Sequence, residues 1–319
     1  MRFASALVAV AAATMLFACS PNGRDPDVAE VLPGLENGSF TAELNGFQIH
    51  YEVHGQGPIL MTVPNSWGLS LEGLRAFYKP LEDRLTMVYF DPRGMGESGP
   101  VVEPADMGMA AVRADFDALR RHLGLDDVAA IGWSNGAGNL ILLAAEYPES
   151  VTRAIFLHGV ASFTAEDGQR WAEQNPELAQ VYAAFEQKMA DEGLTDEEKT
   201  ALLRKSWLEE IFPYSCCNRE TGADMLTATF AEAQFSWPHA DYANQEAPVF
   251  DARDQLPSIS SSCLVVAGAH DSFPPSKAEE LHAGIANSSF FVFESSGHFA
   301  PVEEPEAFRK LILGFINLE

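Results

Sequence analysis

The sequence predicts an α/β fold, a mostly parallel sheet covered by helices on both faces, with a block of helices inserted after the sixth strand. Three observations carry this. Short apolar runs alternate with helix-favouring stretches from residue 59 to 157 and again from 263 onward, the rhythm of a buried parallel sheet. Between them, residues 163–254 hold long, acidic, helix-favouring segments and no convincing strand. Finally, Gly132-Trp133-Ser134-Asn135-Gly136 lies where an apolar run gives way to a helix-like one. Such a sequence suits a sharp strand-to-helix turn, whose small outer residues let the two elements approach closely.

In chain order, residues 40–44 and 47–53 read as two strands around Asn45-Gly46, a residue pair suited to a tight hairpin turn. Strands 59–63 and 87–90 follow, with a helix expected over 71–81 between them. Residues 110–123 carry Val112, Phe116, Leu119 and Leu123 on one helical stripe. Strand 128–131, a helix over 139–147 and strand 154–157 complete this half. In the insertion, helices are expected over 171–190, 195–211 and 219–235. The alternation resumes with strand 263–268, helix 277–286, strand 290–293 and a closing helix over 305–318. The resulting division is a core of residues 39–160 and 256–319 and a helical cap of 161–255.

The first residues obey another logic. Arg2 is followed by an uncharged, largely apolar run over 6–17, too short to span a bilayer comfortably and suited to a signal peptide of residues 1–18. Leu16-Phe17-Ala18-Cys19 resembles a bacterial lipobox. That resemblance implies lipidation of Cys19 as the first mature residue, and Ser20 after it resembles signals sorted to the outer membrane. Ordinary cleavage after a small residue is the alternative. Residues 19–38 then form a polar tether. The expected location is the bacterial cell envelope, as a periplasm-facing or outer-membrane lipoprotein, otherwise secreted or periplasmic, with the N-terminal lipid as the only membrane contact.

The formal net charge of −26 excludes nucleic acid and anionic membranes as partners, because both would be repelled. Beyond Cys19 three cysteines remain. Cys263 lies in an apolar strand, and Cys216-Cys217 is a vicinal pair that could be a disulfide or two thiols. No spacing resembles a zinc or iron–sulfur site, so neither metal nor cofactor is expected. Oligomeric state is not legible.

The chemistry-bearing residues follow strand ends. After strand 128–131 comes Ser134, after strand 263–268 comes Asp271, and after strand 290–293 comes His298. A serine hydroxyl needs a base within hydrogen-bond reach and an acid to orient that base. Ser134 as nucleophile, His298 as base and Asp271 as orienter meet that need. Individually they could be a turn serine, a loop histidine and a helix cap; falling together at strand ends in the order Ser, Asp, His favours the chemical reading. His270 beside Asp271 is a rival base, but adjacent residues seldom pair this way. His158, after the sixth strand, reads as structural. The oxyanion donors are expected to be the backbone N–H groups of Asn135 and of Ser66, in the loop Pro64-Asn65-Ser66-Trp67-Gly68.

With these motifs in place the chain resembles the α/β-hydrolase superfamily over nearly all of residues 40–319. Phe90-Asp91-Pro92-Arg93-Gly94-Met95-Gly96-Glu97-Ser98 looks like the D-x-R-G-x-G-x-S loop of proline iminopeptidases, esterases and carbon–carbon bond hydrolases. Asp91 and Arg93 are expected to hold a buried turn through charge-assisted hydrogen bonds. Gly297-His298-Phe299 with Pro301 and Glu304-Pro305 is similar to the superfamily's histidine loop. The nearest branch resembles proline iminopeptidases of peptidase family S33, which carry H-G-G-P-G before the oxyanion donor and G-G-S-W-G at the serine, unlike this chain. In that branch cap carboxylates grip a free amino group, a role open to Glu209 and Glu210 beside Phe212-Pro213-Tyr214. A serine rather than an aspartate at the turn argues against dehalogenase and epoxide hydrolase chemistry.

The sequence therefore points to a serine hydrolase acting on a small-molecule acyl substrate through a covalent acyl-enzyme, with carboxylic esters favoured. The alternatives are an aminopeptidase taking short peptides, and a non-catalytic binding module on a hydrolase fold. Trp67, Trp133 and Tyr214 are candidate substrate contacts. Trp207, Phe212, Phe230, Phe235 and Trp237 are either pocket or cap core.

Overall fold

The computed structural model describes residues 35–246 and 249–317. The expected leader, Cys19 and the tether up to residue 34 lie outside the described residues. A hairpin opens the fold: β1 (Gly38–Leu44) and β2 (Phe47–Gly55) turn at Asn45 and Gly46, with φ of 52° and 84°. Positive φ at both positions is what a two-residue turn between right-twisted strands requires. Then come β3 (Ile59–Val63), α1 (Leu71–Tyr78), β4 (Thr86–Phe90), α2 (Met109–His122), β5 (Val128–Trp133), α3 (Asn135–Glu146) and β6 (Val151–Leu157).

The insertion holds β7 (Ser162–Phe163), α4 (Ala165–Gln174), α5 (Pro176–Met189), α6 (Asp196–Lys205), a π-helical turn (Ser206–Ile211), α7 (Arg219–Thr229), α8 (Trp237–Glu246) and β8 (Phe250–Asp251). The chain closes with β9 (Ser262–Gly268), α9 (Pro275–Gly284), β10 (Ser288–Phe293), α10 (Ala300–Glu303) and α11 (Pro305–Phe315). Among the described residues no helix is long and apolar enough to cross a membrane.

Eight strands form one sheet in the order β1-β2-β4-β3-β5-β6-β9-β10. β2 runs antiparallel to both its neighbours, and the remaining pairs are parallel. Side chains alternate between two cores. Met87, Tyr89, Ile131, Trp133, Ile155 and Leu157 pack with α1, α11 and the insertion on one face. Val88, Phe90, Ala130, Ala154 and Phe156 pack with α2, α3 and α9 on the other. Burying both faces explains why these strands read as continuous apolar runs rather than alternating ones.

The helices of the insertion depart from expectation in three places. The helix expected over 171–190 breaks at Asn175, whose φ of −124° and ψ of 57° are not helical. Pro176 causes this, since its ring excludes the helical conformation at the preceding residue. The helix expected over 195–211 passes into the π-helical turn at Ser206, and the one expected over 219–235 ends at Thr229, with α8 following. Residues 163–254 also contain strand: Ser162 pairs with Asp251 and Phe163 with Phe250, antiparallel, closing the neck of the insertion. A two-residue ladder has no periodicity to detect.

The D-x-R-G-x-G-x-S loop is structural, as expected. Asp91 accepts from the Leu71 N–H at 2.8 Å and faces His50 Nδ1 at 2.8 Å. A Cβ on Gly96 would fall 2.0 Å from its carboxylate. Arg93 forks onto Asp115 at 2.7 and 2.8 Å, reaches Asp106 at 2.9 Å and lies over the Phe47 ring.

Candidate active site

Ser134 joins β5 to α3 at φ 56° and ψ −120°, a backbone conformation that costs a non-glycine residue about 1–3 kcal/mol. Its neighbours impose it. A Cβ on Gly132 would lie 2.3 Å from the Gly136 carbonyl oxygen, and one on Gly136 would lie 2.5 Å from that of Val63. The G-x-S-x-G spacing is thus a packing requirement of strand against helix. The Ser134 N–H donates to the Leu157 carbonyl at 2.8 Å, tying the turn to β6. Because Ser134 caps α3, the helix's positive end faces whatever reacts there.

Asp271 follows β9 and His298 follows β10. Asp271 Oδ2 faces His298 Nδ1 at 2.6 Å, and its Oδ1 accepts from the Phe273 N–H at 3.0 Å. With Nδ1 engaged, Nε2 is the nitrogen left for proton transfer. Burial opposes ionisation of Asp271, but His298 and His158 outweigh it and hold the carboxyl well below the usual range. The histidine loop is pinned from several sides. His298 N–H donates to the Ser215 carbonyl at 2.6 Å, Trp133 Nε1 donates to the His298 carbonyl at 2.9 Å, and Glu303 accepts from the N–H groups of Gly297 and Phe299 at 2.8 and 3.2 Å.

Ser134 sits where two lobes of one cleft meet. The smaller, about 330 Å³, is lined by Ser66, Asn135, Gly138, His158 and Phe250 among others. The larger, about 790 Å³, is lined by His298 and by every one of the chain's five tryptophans, Trp67, Trp133, Trp171, Trp207 and Trp237. Ser134 lines both lobes, and Trp67 does too. Among the described residues no hydrogen bond joins Ser134 to His298, a separation common in unliganded sites.

The two expected oxyanion donors lie together, with a complication the sequence did not signal. Asn135 Oδ1 accepts from the Ser66 N–H at 2.7 Å and from its hydroxyl at 2.9 Å. The neighbouring Asn65 Oδ1 accepts from the Gly136 N–H at 2.5 Å. The Ser66 donor is therefore capped by the Asn135 side chain.

His158, expected from the sequence to be structural, lies against Asp271 and His298. It stands at the end of β6 at φ 54°, with its side chain fully buried and both ring nitrogens lacking a well-aligned hydrogen bond. Its Nδ1 lies 3.3 Å from Asp271 Oδ2, and its ring centre is 5.2 Å from that of His298. Burial keeps it neutral, lowering its pKa despite Asp271. His158, Asp271 and His298 bring ligand atoms within 4.8 Å of one another, so this group could also hold a metal ion. The available signal was position, because the end of β6 lies beside the serine turn at the end of β5.

Other expected contacts lie elsewhere. Glu209 is exposed, Glu210 pairs with Lys188 at 3.4 Å, and Tyr214 lies under Arg219; none lines either lobe. The carboxylates that do line the larger lobe are Glu186 and Asp241. Trp207, Phe212 and Trp237 reach it, whereas Phe230 and Phe235 are core. His270 is exposed. Cys216, buried, and Cys217, exposed, are both free thiols, as is buried Cys263.

Similarity to known proteins agrees with this geometry. The chain is 22% identical over 289 residues to a proline iminopeptidase of Clostridioides difficile, covering 85% of this chain and 95% of that protein. It is 24% identical over 268 residues to a pimeloyl-[acyl-carrier protein] methyl ester esterase of Vibrio vulnificus, covering 84% and 97%. A thermophilic esterase from Thermogutta terrifontis superposes with a TM-score of 0.68 at 22% identity, over 88% of this chain and 98% of that one. A profile of the alpha/beta hydrolase fold matches residues 63–305. With that match spanning most of the chain, and the serine turn, sheet order and histidine loop all present, the protein belongs to the α/β hydrolase fold family and is an α/β-fold serine hydrolase.

Proposed function

We propose that the chain hydrolyses carboxylic esters through Ser134, His298 and Asp271. Ser134 Oγ attacks the acyl carbon as its proton passes to His298 Nε2. The tetrahedral oxyanion is received by the N–H groups of Asn135 and Ser66, the latter once Asn135 Oδ1 swings away. Collapse breaks the bond to the leaving oxygen, which takes the proton from His298 and departs as the alcohol. Water, deprotonated by His298, then releases the acid from Ser134. Asp271 keeps the imidazole oriented and stabilises its charged form. The helices of 161–255 act as a cap over this cleft, and the leader expected over residues 1–18 would direct the protein to the bacterial cell envelope.

The observation that carries this reading is the 2.6 Å His298–Asp271 pair in the cleft that a strained Ser134 also lines. One further observation favours a second reading, an aminopeptidase: Glu186 and Asp241 line the larger lobe and could receive an amino group. The test sets the wild type and Ser134→Ala on nitrophenyl esters of graded acyl length and on aminoacyl nitroanilides with free and blocked amino ends. Cleavage of esters by the wild type alone is expected, with Ser134→Ala losing on the order of 10⁴-fold or more in kcat. Cleavage restricted to anilides with a free amino end would transfer the assignment to the second reading.

A further inference from the structure

We infer from the two-lobed cleft that the substrate is an ester of a short acyl group with a bulky, uncharged or cationic aromatic alcohol. The smaller lobe receives the acyl group and the larger the alcohol. This rests on the ester-hydrolase reading and deepens it.

The assignment of lobes follows from which reacting partners line each. Four groups surround the tetrahedral carbon: Ser134 Oγ, the oxyanion, the leaving oxygen and the acyl substituent. The leaving oxygen must lie within reach of the imidazole that protonates it. His298 lines the larger lobe and is absent from the lining of the smaller. The bond that breaks therefore points into the larger lobe. The oxyanion donors Ser66 and Asn135 line the smaller lobe, so the oxyanion turns to that side. The remaining substituent, the acyl chain, has the smaller lobe to enter.

Size and lining then define each part. The larger lobe has more than twice the volume of the smaller, about 790 against 330 Å³. With the partly exposed indoles of Trp67, Trp171, Trp207 and Trp237 on its lining it suits a flat aromatic group, since offset and edge-to-face contacts add to the burial of apolar area. The smaller lobe is bounded by Phe163 and Phe250, the residues paired across the neck of the insertion, and by Gly138 one turn beyond Ser134. A Cβ on Gly138 would meet Phe250 and Met109 at 3.6 and 3.7 Å. That is ordinary contact, so larger side chains there would shorten the lobe rather than break the helix. Among the described residues the carboxylates on the linings are Glu186 and Asp241 in the larger lobe and Glu246 in the smaller, and no lysine or arginine accompanies them. With a formal charge of −26 behind them, they repel an anionic substrate and tolerate a cationic one.

The experiment uses two isomers of similar intrinsic reactivity, 2-naphthylmethyl acetate and methyl 2-naphthylacetate, on the purified full chain. They carry the same ring on opposite sides of the ester. The acetate is expected to have a kcat/KM about tenfold higher or more, the discrimination a shaped apolar pocket typically provides. Gly138→Val should lower the butyrate-to-acetate ratio among naphthylmethyl esters and leave the alcohol preference in place. Gly138→Ala, the milder change, should do so to a smaller degree. Trp237→Ala should reduce the preference for naphthylmethyl over ethyl acetate without altering the acyl-length profile. Preference for methyl 2-naphthylacetate, or a Gly138 variant that narrows the alcohol instead of the acyl range, would overturn the lobe assignment while sparing the ester-hydrolase reading. If neither isomer is cleaved in a Ser134-dependent manner, both fall. Cleavage of free-amino anilides would overturn it too, because their aminoacyl group would occupy the acidic larger lobe.

Discussion

At the scale of single residues, the feature with the sharpest chemical consequence is Asn135. Its backbone N–H is one proposed oxyanion donor, while its side-chain oxygen occupies the other at Ser66. A neutral amide oxygen can be displaced by a developing oxyanion, because the charge-assisted hydrogen bond is roughly twice as strong as the neutral one it replaces. A carboxylate in the same place would compete on equal terms. Asn135→Asp should therefore lower kcat by about 10²-fold, the effect of losing one oxyanion donor. Asn135→Ala keeps the backbone donor and should stay within about tenfold of the wild type. Steady-state kinetics on one ester decides this; equal losses in both variants would mean that the side chain orders the loop rather than competing for the donor. Neither Asn135's competing role nor the contact of His158 with Asp271 could be read from the sequence. Both depend on how loops from different strands meet, which strand periodicity does not encode.

Among elements, the legible ones were those whose burial is regular. Both-face burial left β3, β4, β5 and β9 as apolar runs, and Gly132 and Gly136 marked the serine turn because backbone packing there leaves no room for a Cβ. The insertion was legible as helix but not in its joints. Its boundaries depend on single residues such as Pro176, and its helices are held by aromatic packing that has no fixed spacing. Hence Glu209 and Glu210 looked suitable by type and adjacency, and the folding of α5 and α8 brought Glu186 and Asp241 to the cleft instead. The short helix α10 shows what such joints do. Its Glu303 accepts from the N–H groups of Gly297 and Phe299, either side of His298, and from Cys217 in the insertion at 2.6 Å. Burial raises the pKa of Glu303 against these three bonds, so the carboxylate is held by its donors rather than by solvent. Glu303→Gln keeps the shape but leaves one acceptor oxygen, so the Gly297 and Phe299 bonds can persist only as neutral ones while the Cys217 N–H faces an amide NH2 that cannot accept. Each bond to a charged group contributes about 1.5–3 kcal/mol, and a loss of about 2 kcal/mol in unfolding free energy is expected, with kcat lowered more than KM is changed. Urea unfolding alongside kinetics checks it; an unaltered kcat with lowered stability would confine Glu303 to joining the insertion to the core.

For the molecule as a whole, the relation of stability to pH follows from three buried histidines of opposite sign. His158 and His239 have lowered pKa values, in each case mainly because burial disfavours the charged ring. His239 faces Ser236 Oγ through Nδ1 at 2.8 Å and the Arg93 carbonyl through Nε2 at 2.8 Å. Only a neutral ring can donate to the carbonyl and accept from the hydroxyl. As pH falls below 6.5, the ordinary histidine value, the unfolded chain takes up protons at both positions and the folded chain does not. Stability therefore falls through that window until the folded-state values are reached. His50 acts the other way. Its bond to Asp91 outweighs burial and raises its pKa, so its contribution is fully present below pH 6.5 and is lost as pH rises through the raised value. The two slopes meet at a stability maximum near pH 6.5. The −26 charge adds self-repulsion that salt screens over about 8–10 Å at physiological ionic strength, so the pH series must be run at fixed ionic strength. Thermal unfolding from pH 5 to 8 should show the maximum. His239→Gln, which can keep a donor and an acceptor without titrating, should flatten the acid slope and leave the alkaline one unchanged. His50→Gln should do the reverse. An acid slope identical in wild type and His239→Gln would mean that carboxylates, not the buried imidazole, govern stability in that range.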